Sequence, residues 1–138
     1  MEQLAVEIVG LCREYGECRV EVERMEEARR VKNALESVCA MARQRLDISD
    51  PALLLALLDA CEVTRDEGML QEVLDVVGRN LDRLAVSAES VKLLACCYYY
   101  VEEEECVERA GRMVEELRKM GRGEEELADV ETILEELT

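Results

Sequence analysis

Cysteine is the residue of this chain best suited to chemistry, because seven cysteines are present and histidine is absent. A cysteine becomes a nucleophile only beside a base or a cation that favours its thiolate. Lys92 lies near the adjacent pair Cys96 and Cys97, but apolar residues flank that pair, which favours core packing over a reactive thiol. The cysteines occupy positions 12, 18, 39, 61, 96, 97 and 106, with no CxxC pair. The common zinc patterns therefore fail, and we predict no metal site.

Four consecutive glutamates, Glu102, Glu103, Glu104 and Glu105, could supply oxygen ligands to a cation. Such ligands bind Ca²⁺ or Mg²⁺ when they converge on one point. Consecutive residues of a helix point to different sides, so these carboxylates converge only if they form a turn. A solvated turn or helix start is the favoured interpretation.

The usual catalytic arrangements are missing from the sequence. The lack of histidine removes the commonest general base, the Ser-His-Asp triad and the Glu-x-x-His di-iron pattern. Gly121, Arg122 and Gly123 make too short a glycine segment for a phosphate-binding loop, and they join two predicted helices. We predict a non-enzymatic protein that has no cofactor.

The net charge of −16 is unevenly distributed. Residues 102–138 contain fourteen acidic and five basic residues and therefore contribute −9. Direct binding to nucleic acid or to anionic membranes is disfavoured, because both need clustered Lys and Arg. Basic proteins or peptides are the natural electrostatic partners, unless the charge serves solubility alone.

The N-terminus predicts no secretory signal, because it lacks a basic region and Glu7 interrupts the first apolar stretch. No apolar run reaches the roughly 18 residues that span a bilayer. We therefore expect a cytoplasmic location. Seven cysteines are many for a reducing cytosol, and together with the high Glu and Arg content they suggest a hyperthermophilic source.

Apolar residues recur at helical spacing, and no segment shows sustained period-two alternation. We predict an all-α fold in a single domain over residues 1–138. Phe and Trp are absent, and the remaining small aliphatic residues suit close-packed helices. The predicted helices cover residues 2–15, 19–46, 51–65, 68–84, 88–101, 103–120 and 124–137.

Several residues mark the predicted helix ends. Gly16 ends the first helix, Asp50 caps the third with Pro51 at its first position, Ser87 caps the fifth, and Gly121 follows the sixth. The residues predicted to face the core include Met25 in the second helix, Leu70, Val73, Val77 and Leu81 in the fourth, and Leu127, Val130, Leu134 and Leu137 in the seventh.

An internal repeat with an offset of 37 residues relates the third and fourth helices to the fifth and sixth. The offset places the predicted cap Asp50 on the predicted cap Ser87. Leu54, Leu57, Leu58 and Cys61 fall on Val91, Leu94, Ala95 and Tyr98, and Leu70, Val73 and Val77 fall on Val107, Ala110 and Val114.

The series Val91, Leu94, Ala95 and Tyr98 resembles the first helix of a tetratricopeptide (TPR) repeat, in which a large residue, Leu, a small residue and Tyr follow one another. The resemblance covers residues 50–120 and extends loosely to 1–49. It implies helical hairpins over 1–46, 50–84 and 87–120, stacked as a short TPR-like array with a C-terminal capping helix over 124–137. The Trp and Phe positions of the family are aliphatic here, the Gly of the turn is missing in the last unit, and no unit ends with Pro. An irregular helical bundle is therefore the alternative.

The resemblance also implies a ligand groove, lined by one face of each first helix. Transferred position by position, that face contains Arg13, Asp59, Glu62, Lys92, Cys96 and Tyr99. Because equivalent helices of adjacent units lie side by side, we predict that Cys61 lies within disulfide reach of Cys96 or Cys97.

Tyr98, Tyr99 and Tyr100 form the only aromatic cluster. At 100° per residue the three side chains cannot all face the core. Tyr98 continues the apolar stripe and is predicted to be buried, whereas Tyr99 points elsewhere, where an exposed tyrosine is a common interface anchor.

Three functions fit these observations. The leading hypothesis is a non-enzymatic helical scaffold that mediates protein–protein interaction with a basic protein or peptide partner. The second is an acidic mimic of nucleic acid that inhibits a DNA- or RNA-binding protein. The third is a redox-responsive thiol protein.

Overall fold

A computed structural model describes residues 2–121 and 124–137, including their side chains except those of residues 2, 124–127, 134 and 137. All regular secondary structure in the described ranges is helical, which confirms the all-α prediction. Short 3₁₀ turns cover Val22–Arg24 and Leu81–Arg83. The described residues form seven α-helices: α1 (Glu2–Cys18), α2 (Met25–Arg43), α3 (Pro51–Thr64), α4 (Glu67–Arg79), α5 (Ala88–Val101), α6 (Glu104–Lys119) and α7 (Glu124–Leu137).

The chain divides into two compact units, Met1–Val76 and Val77–Thr138, with the boundary inside α4. In the first unit α1 packs against both α2 and α3, and α2 also contacts α3. In the second unit α5, α6 and α7 pack against one another. The assignment of residues 1–138 to a single domain stays a prediction.

Small and medium aliphatic residues, together with cysteine, fill both units, as the absence of Phe and Trp requires. The first unit buries Ile8, Leu35, Ala42, Leu54, Leu57 and Leu58 together with four cysteines, and the second buries Leu93, Leu94, Ala110, Met113, Leu117 and Val130. Of the core positions predicted in α7, Val130 is buried, whereas the side chains of Leu127, Leu134 and Leu137 lie outside the described residues.

The predicted end of the first helix at Gly16 is wrong, because α1 continues to the fully buried Cys18. A glycine that ends a helix takes a positive φ, and Gly16 does not. The predicted second helix, over 19–46, is also wrong at both ends. Val20 and Val22 are 76% and 83% exposed, so no packing compensates the low helix propensity of β-branched residues there. The α-helix therefore begins at Met25, which is exposed and not inward-facing as predicted.

The fourth helix is shorter than predicted and ends at Arg79. Gly78 and Asn80 are poor helix formers, and the chain turns through Leu81–Arg83 before Leu84 enters the core. Of the predicted inward residues of this helix, Val73 and Val77 are buried, whereas Leu70 is partly exposed and so is Leu81, which lies in the 3₁₀ turn.

The predicted helix caps are confirmed. The Asp50 carboxylate accepts a hydrogen bond from the Leu53 N–H at 3.2 Å, with Pro51 in the first turn of α3. The Ser87 hydroxyl accepts one from the Ser90 N–H at 3.1 Å. Gly121 has a φ of +68°, as a glycine after a helix should.

The 37-residue offset recurs in the local structure. Helices α3 and α5 each contain 14 residues, and their starts, Pro51 and Ala88, are separated by that offset. Each ends on a left-handed residue, Arg65 with φ 59° and Glu102 with φ 52°. Six of the seven buried positions of α3 coincide with buried positions of α5 under the offset. The pattern found in the residues therefore describes a real recurrence of caps, lengths and buried faces.

Candidate functional site

The four consecutive glutamates form the connection between α5 and α6, and we call Glu102, Glu103, Glu104 and Glu105 the acidic turn. Glu102 closes α5, and its N–H donates a hydrogen bond to the Tyr98 carbonyl oxygen at 2.8 Å. Glu103 precedes the first residue of α6. All four side chains are exposed, which confirms the prediction of a solvated turn and helix start. Negative charge is favourable here, because the N-terminus of α6 carries partial positive charge.

Cation binding at the acidic turn has no geometric support. Among the residues that the structure describes, no group of three or more acidic or cysteine side chains is arranged to hold a metal ion. Carboxylates that point into water remain available to cationic groups of another molecule instead.

Apolar and aromatic surface lies next to the acidic turn. Tyr99 is 75% exposed and Val101 is 41% exposed. Neither side chain is therefore used to fill the core, although both are of types that a helical bundle can bury. Tyr100 meets the Tyr99 ring edge-on, with 5.2 Å between the ring centroids, and this contact restrains the exposed ring. The prediction that Tyr99 points away from the core is confirmed. We call Tyr99, Val101 and the acidic turn together the acidic aromatic surface.

Tyr98 differs from its prediction, since it is only half-buried. It lies in the last turn of α5, where the helix backbone leaves the core at Glu102. A tyrosine in such a position can bury its ring and keep its hydroxyl in water. Partial exposure therefore suits Tyr98 better than it would suit a purely apolar residue on the same stripe.

The groove residues transferred from the TPR resemblance fall in two sets of three. Lys92, Cys96 and Tyr99 are spaced by four and three residues, so they share one face of α5, and this face is half-buried at Lys92 and Cys96. This set belongs to the second unit. Their common face is compatible with a binding surface that continues into the acidic aromatic surface.

The other set, Arg13, Asp59 and Glu62, is exposed on α1 and α3, which pack together in the first unit. Partial desolvation raises the pKa of the Asp59 carboxyl, and the charge of Glu62 raises it further. Asp59 in turn lies close enough to Cys12 to act on its thiol. A single groove that contains all six residues stays a prediction.

All seven cysteines, which lie within the described ranges, are present as thiols, and all but the half-buried Cys96 are buried. Burial raises the pKa of Cys12 and Cys39 to about 11 and that of Cys61 and Cys97 to about 12. Since the thiolate is the reactive form, the buried thiols have almost none of it at neutral pH. Cys97 therefore fits the expected role in core packing.

Three of these thiols cluster where α1, α2 and α3 meet. Cys39 acts electrostatically on the Cys61 thiol, and Cys12 acts on both. Cysteine serves here as a small apolar residue. The predicted disulfide joins residues of different units, Cys61 in the first and Cys96 or Cys97 in the second, and it stays a prediction.

A bridging arginine in the first unit could not be identified from the sequence. Arg43 of α2 donates two hydrogen bonds to the Glu72 carboxylate of α4, at 2.9 and 2.6 Å, and its guanidinium lies 3.6 Å from Asp66. These bonds lower the pKa of Glu72. Arg43 and Asp66 border a small cleft of about 190 Å³, whose wall also includes Cys39 and Met69. The partners are 29 residues apart in the sequence, so no local pattern could have revealed them.

Two further findings bear on the site. No helix in the described part of the chain combines the length and the apolar character needed to cross a lipid bilayer. Comparison with models of known protein families, with curated proteins and with solved structures finds no match to this chain. The functional assignment therefore depends on the geometry of the chain's own residues.

Proposed function

We propose that this chain is a non-enzymatic helical adaptor that binds a basic segment of a partner protein through the acidic aromatic surface. The observation that carries the proposal is an exposed Tyr99 ring beside four exposed carboxylates on a connection fixed by helix ends. Tyrosine is a frequent energetic anchor of interfaces. A ring that remains exposed next to concentrated negative charge suits one class of ligand particularly well.

That ligand is a peptide segment rich in arginine or lysine. A guanidinium can lie over the Tyr99 ring, a contact that contributes about 0.5–1 kcal/mol at an exposed site. Neighbouring cationic side chains can pair with the carboxylates of the acidic turn, and Val101 offers apolar surface to their aliphatic stems. Arginine fits better than lysine, because its planar group both stacks and binds carboxylates through two N–H groups.

The charge distribution supports the same partner class. Residues 102–138 contribute −9 of the net −16, so a basic segment is attracted before contact is made. This attraction raises association rates, and salt screens it over about 10 Å at 0.1 M. We further propose a cytoplasmic adaptor of the degenerate TPR type, which the recurrence of caps and helix lengths at 37 residues supports.

The experiment measures binding of a fluorescent oligo-arginine peptide by anisotropy, at several salt concentrations. Changing all four glutamates of the acidic turn to Gln should weaken binding about 10- to 30-fold, if each exposed pair contributes about 0.5 kcal/mol. Helicity should be unchanged, since Gln forms helices nearly as well as Glu. Tyr99→Ala should weaken binding with little change in the salt dependence.

A matched control removes the same charge from the first unit. It carries Gln at four exposed glutamates, Glu7, Glu17, Glu23 and Glu26, and should weaken binding less than threefold. Equal weakening by the control and the acidic-turn variant would overturn the proposal, because binding would then follow net charge alone. The nucleic-acid mimic would be favoured instead if the oligo-arginine peptide competed with a DNA-binding protein for this chain and Tyr99→Ala left the binding of that protein unchanged.

A further inference from the structure

A cleft of the second unit is lined by four arginines, although the chain as a whole is strongly acidic. Arg79 at the end of α4, Arg83 in the following 3₁₀ turn, and Arg109 and Arg112 of α6 surround a volume of about 500 Å³, which we call the arginine cleft. The chain has 17 basic residues against 33 acidic ones. The cleft is lined by these four arginines and by three carboxylates, those of Asp82, Glu105 and Glu108. Basic residues therefore outnumber acidic ones in this lining, in contrast to the chain as a whole.

Arg109 is held in position by the backbone of the neighbouring turn. Its Nε–H donates a hydrogen bond to the Leu81 carbonyl oxygen at 3.3 Å, and an Nη2–H donates one to the Leu84 carbonyl oxygen at 3.1 Å. A guanidinium has five N–H groups, so this one is oriented by two bonds and still has donors available. A ligand bound there would not have to immobilise the side chain, which lowers the entropic cost of binding.

The arginines Arg83 and Arg112 are exposed, and neither side chain forms an ion pair with any residue in the described ranges. Glu108 precedes Arg112 by four residues, a spacing that favours salt bridges on a helix. No such bridge forms, and likewise none joins Glu105 to Arg109. Arg83 and Arg112 thus bring positive charge to the cleft that no described carboxylate neutralises by direct contact.

We propose that the arginine cleft binds a small molecule that carries two or more phosphate groups. Planar guanidinium groups bind phosphate oxygens through paired N–H donors. The volume is within the range of small-molecule sites, and among the described residues that line it Leu81 is the only large apolar one. A polar, compact polyanion fits this lining better than a ligand with an extended ring system. A nucleic-acid strand is disfavoured, because it would extend into the surrounding negative field.

The site lies outside the proposed interaction with a basic partner, except that Glu105 contributes to both. Three carboxylates, those of Asp82, Glu105 and Glu108, also border the cleft. They repel an anion and so limit its affinity. A substitution at Glu108, which is not part of the acidic turn, therefore tests the cleft without altering the other surface.

The experiment titrates the full chain with pyrophosphate by isothermal calorimetry in magnesium-free buffer. Inorganic phosphate should bind at least tenfold more weakly, because it cannot reach several arginines together. Changing Arg83 and Arg112 together to Gln should weaken pyrophosphate binding at least tenfold, while Glu108→Gln should strengthen it severalfold. These side chains make no ion pairs with the described residues, so folding should be preserved.

The matched control changes Arg29 and Arg45 to Gln, two exposed arginines of the first unit, and should leave pyrophosphate binding within twofold of the original. No detectable heat with pyrophosphate would overturn the proposal. So would equal weakening by the control pair, or a single-stranded oligonucleotide that binds more tightly than pyrophosphate. A thermal-shift measurement gives a second readout, since a ligand of the native cleft raises the unfolding temperature.

Discussion

Glycine at the left-handed ends of α3 and α5 should stabilise the chain. Arg65 and Glu102 have φ values of 59° and 52°, a conformation that costs an L-residue about 1–2 kcal/mol. Glycine avoids this cost but loses about 0.5–1 kcal/mol more in backbone entropy on folding. Neither side chain forms a hydrogen bond or ion pair with a described residue, so little else is lost. Arg65→Gly and Glu102→Gly should each raise the free energy of unfolding by about 0.5–1 kcal/mol.

The measurement is urea unfolding followed by far-ultraviolet circular dichroism, and each variant should also show a rise of a few degrees in the melting temperature. Arg65→Ala and Glu102→Ala are the controls. They remove the same charged groups but keep Cβ, and therefore the strain, so they should remain within about 0.5 kcal/mol of the original chain. Glycine variants that are no more stable than the alanine variants would refute the assignment of strain to these two positions.

Two further predictions concern the thiols and the arginine bridge. In reduced protein at pH 8, a thiol-specific disulfide reagent should modify Cys96 first and Cys97 at least a hundredfold more slowly, because burial raises the pKa of Cys97 to about 12. Peptide mass spectrometry measures the two rates, and comparable rates would contradict this expectation. Unreduced, denatured protein should contain two thiols fewer than seven if the predicted disulfide of Cys61 forms, and a count of seven would exclude it. Arg43→Gln should lower the free energy of unfolding at pH 7 by about 0.5–1 kcal/mol, since the bonded side chains are partly exposed. The pKa of Glu72 is lowered in the folded state, so this contribution is present above its unfolded pKa and is lost as the pH falls through the folded one. Urea unfolding should show a larger difference at pH 7 than at pH 3, whereas Arg45→Gln should have little effect at either pH.

The sequence predicts helices well where a cap residue and an apolar stripe coincide. Asp50 and Ser87 each have a short polar side chain just before such a stripe, and both caps are present in the structure. It fails where the local signal is ambiguous. Gly16 resembles a helix end but lies inside α1, because the burial of Cys18 outweighs the small cost of one glycine in a helix.

Some parts of the candidate sites could also be predicted from the sequence, and others could not. Tyr99 could be assigned to the surface, because helical geometry forbids three adjacent tyrosines from sharing one face. The arginine cleft could not be foreseen, since Arg109 binds carbonyl groups 25 and 28 residues earlier in the chain. Such contacts follow from tertiary packing, and the shortened end of α4, which exposes those carbonyl groups, was itself mispredicted.

The placement of the tyrosines makes the two units spectroscopically distinct. Tryptophan is absent, Tyr15 lies on α1 in the first unit, and the other three tyrosines lie on α5 in the second. Tyrosine absorbance and fluorescence therefore report mainly on the second unit, whereas circular dichroism reports on the helices of both. Denaturation curves from the two signals coincide if the units unfold as one cooperative system, and they separate if each unit has its own transition.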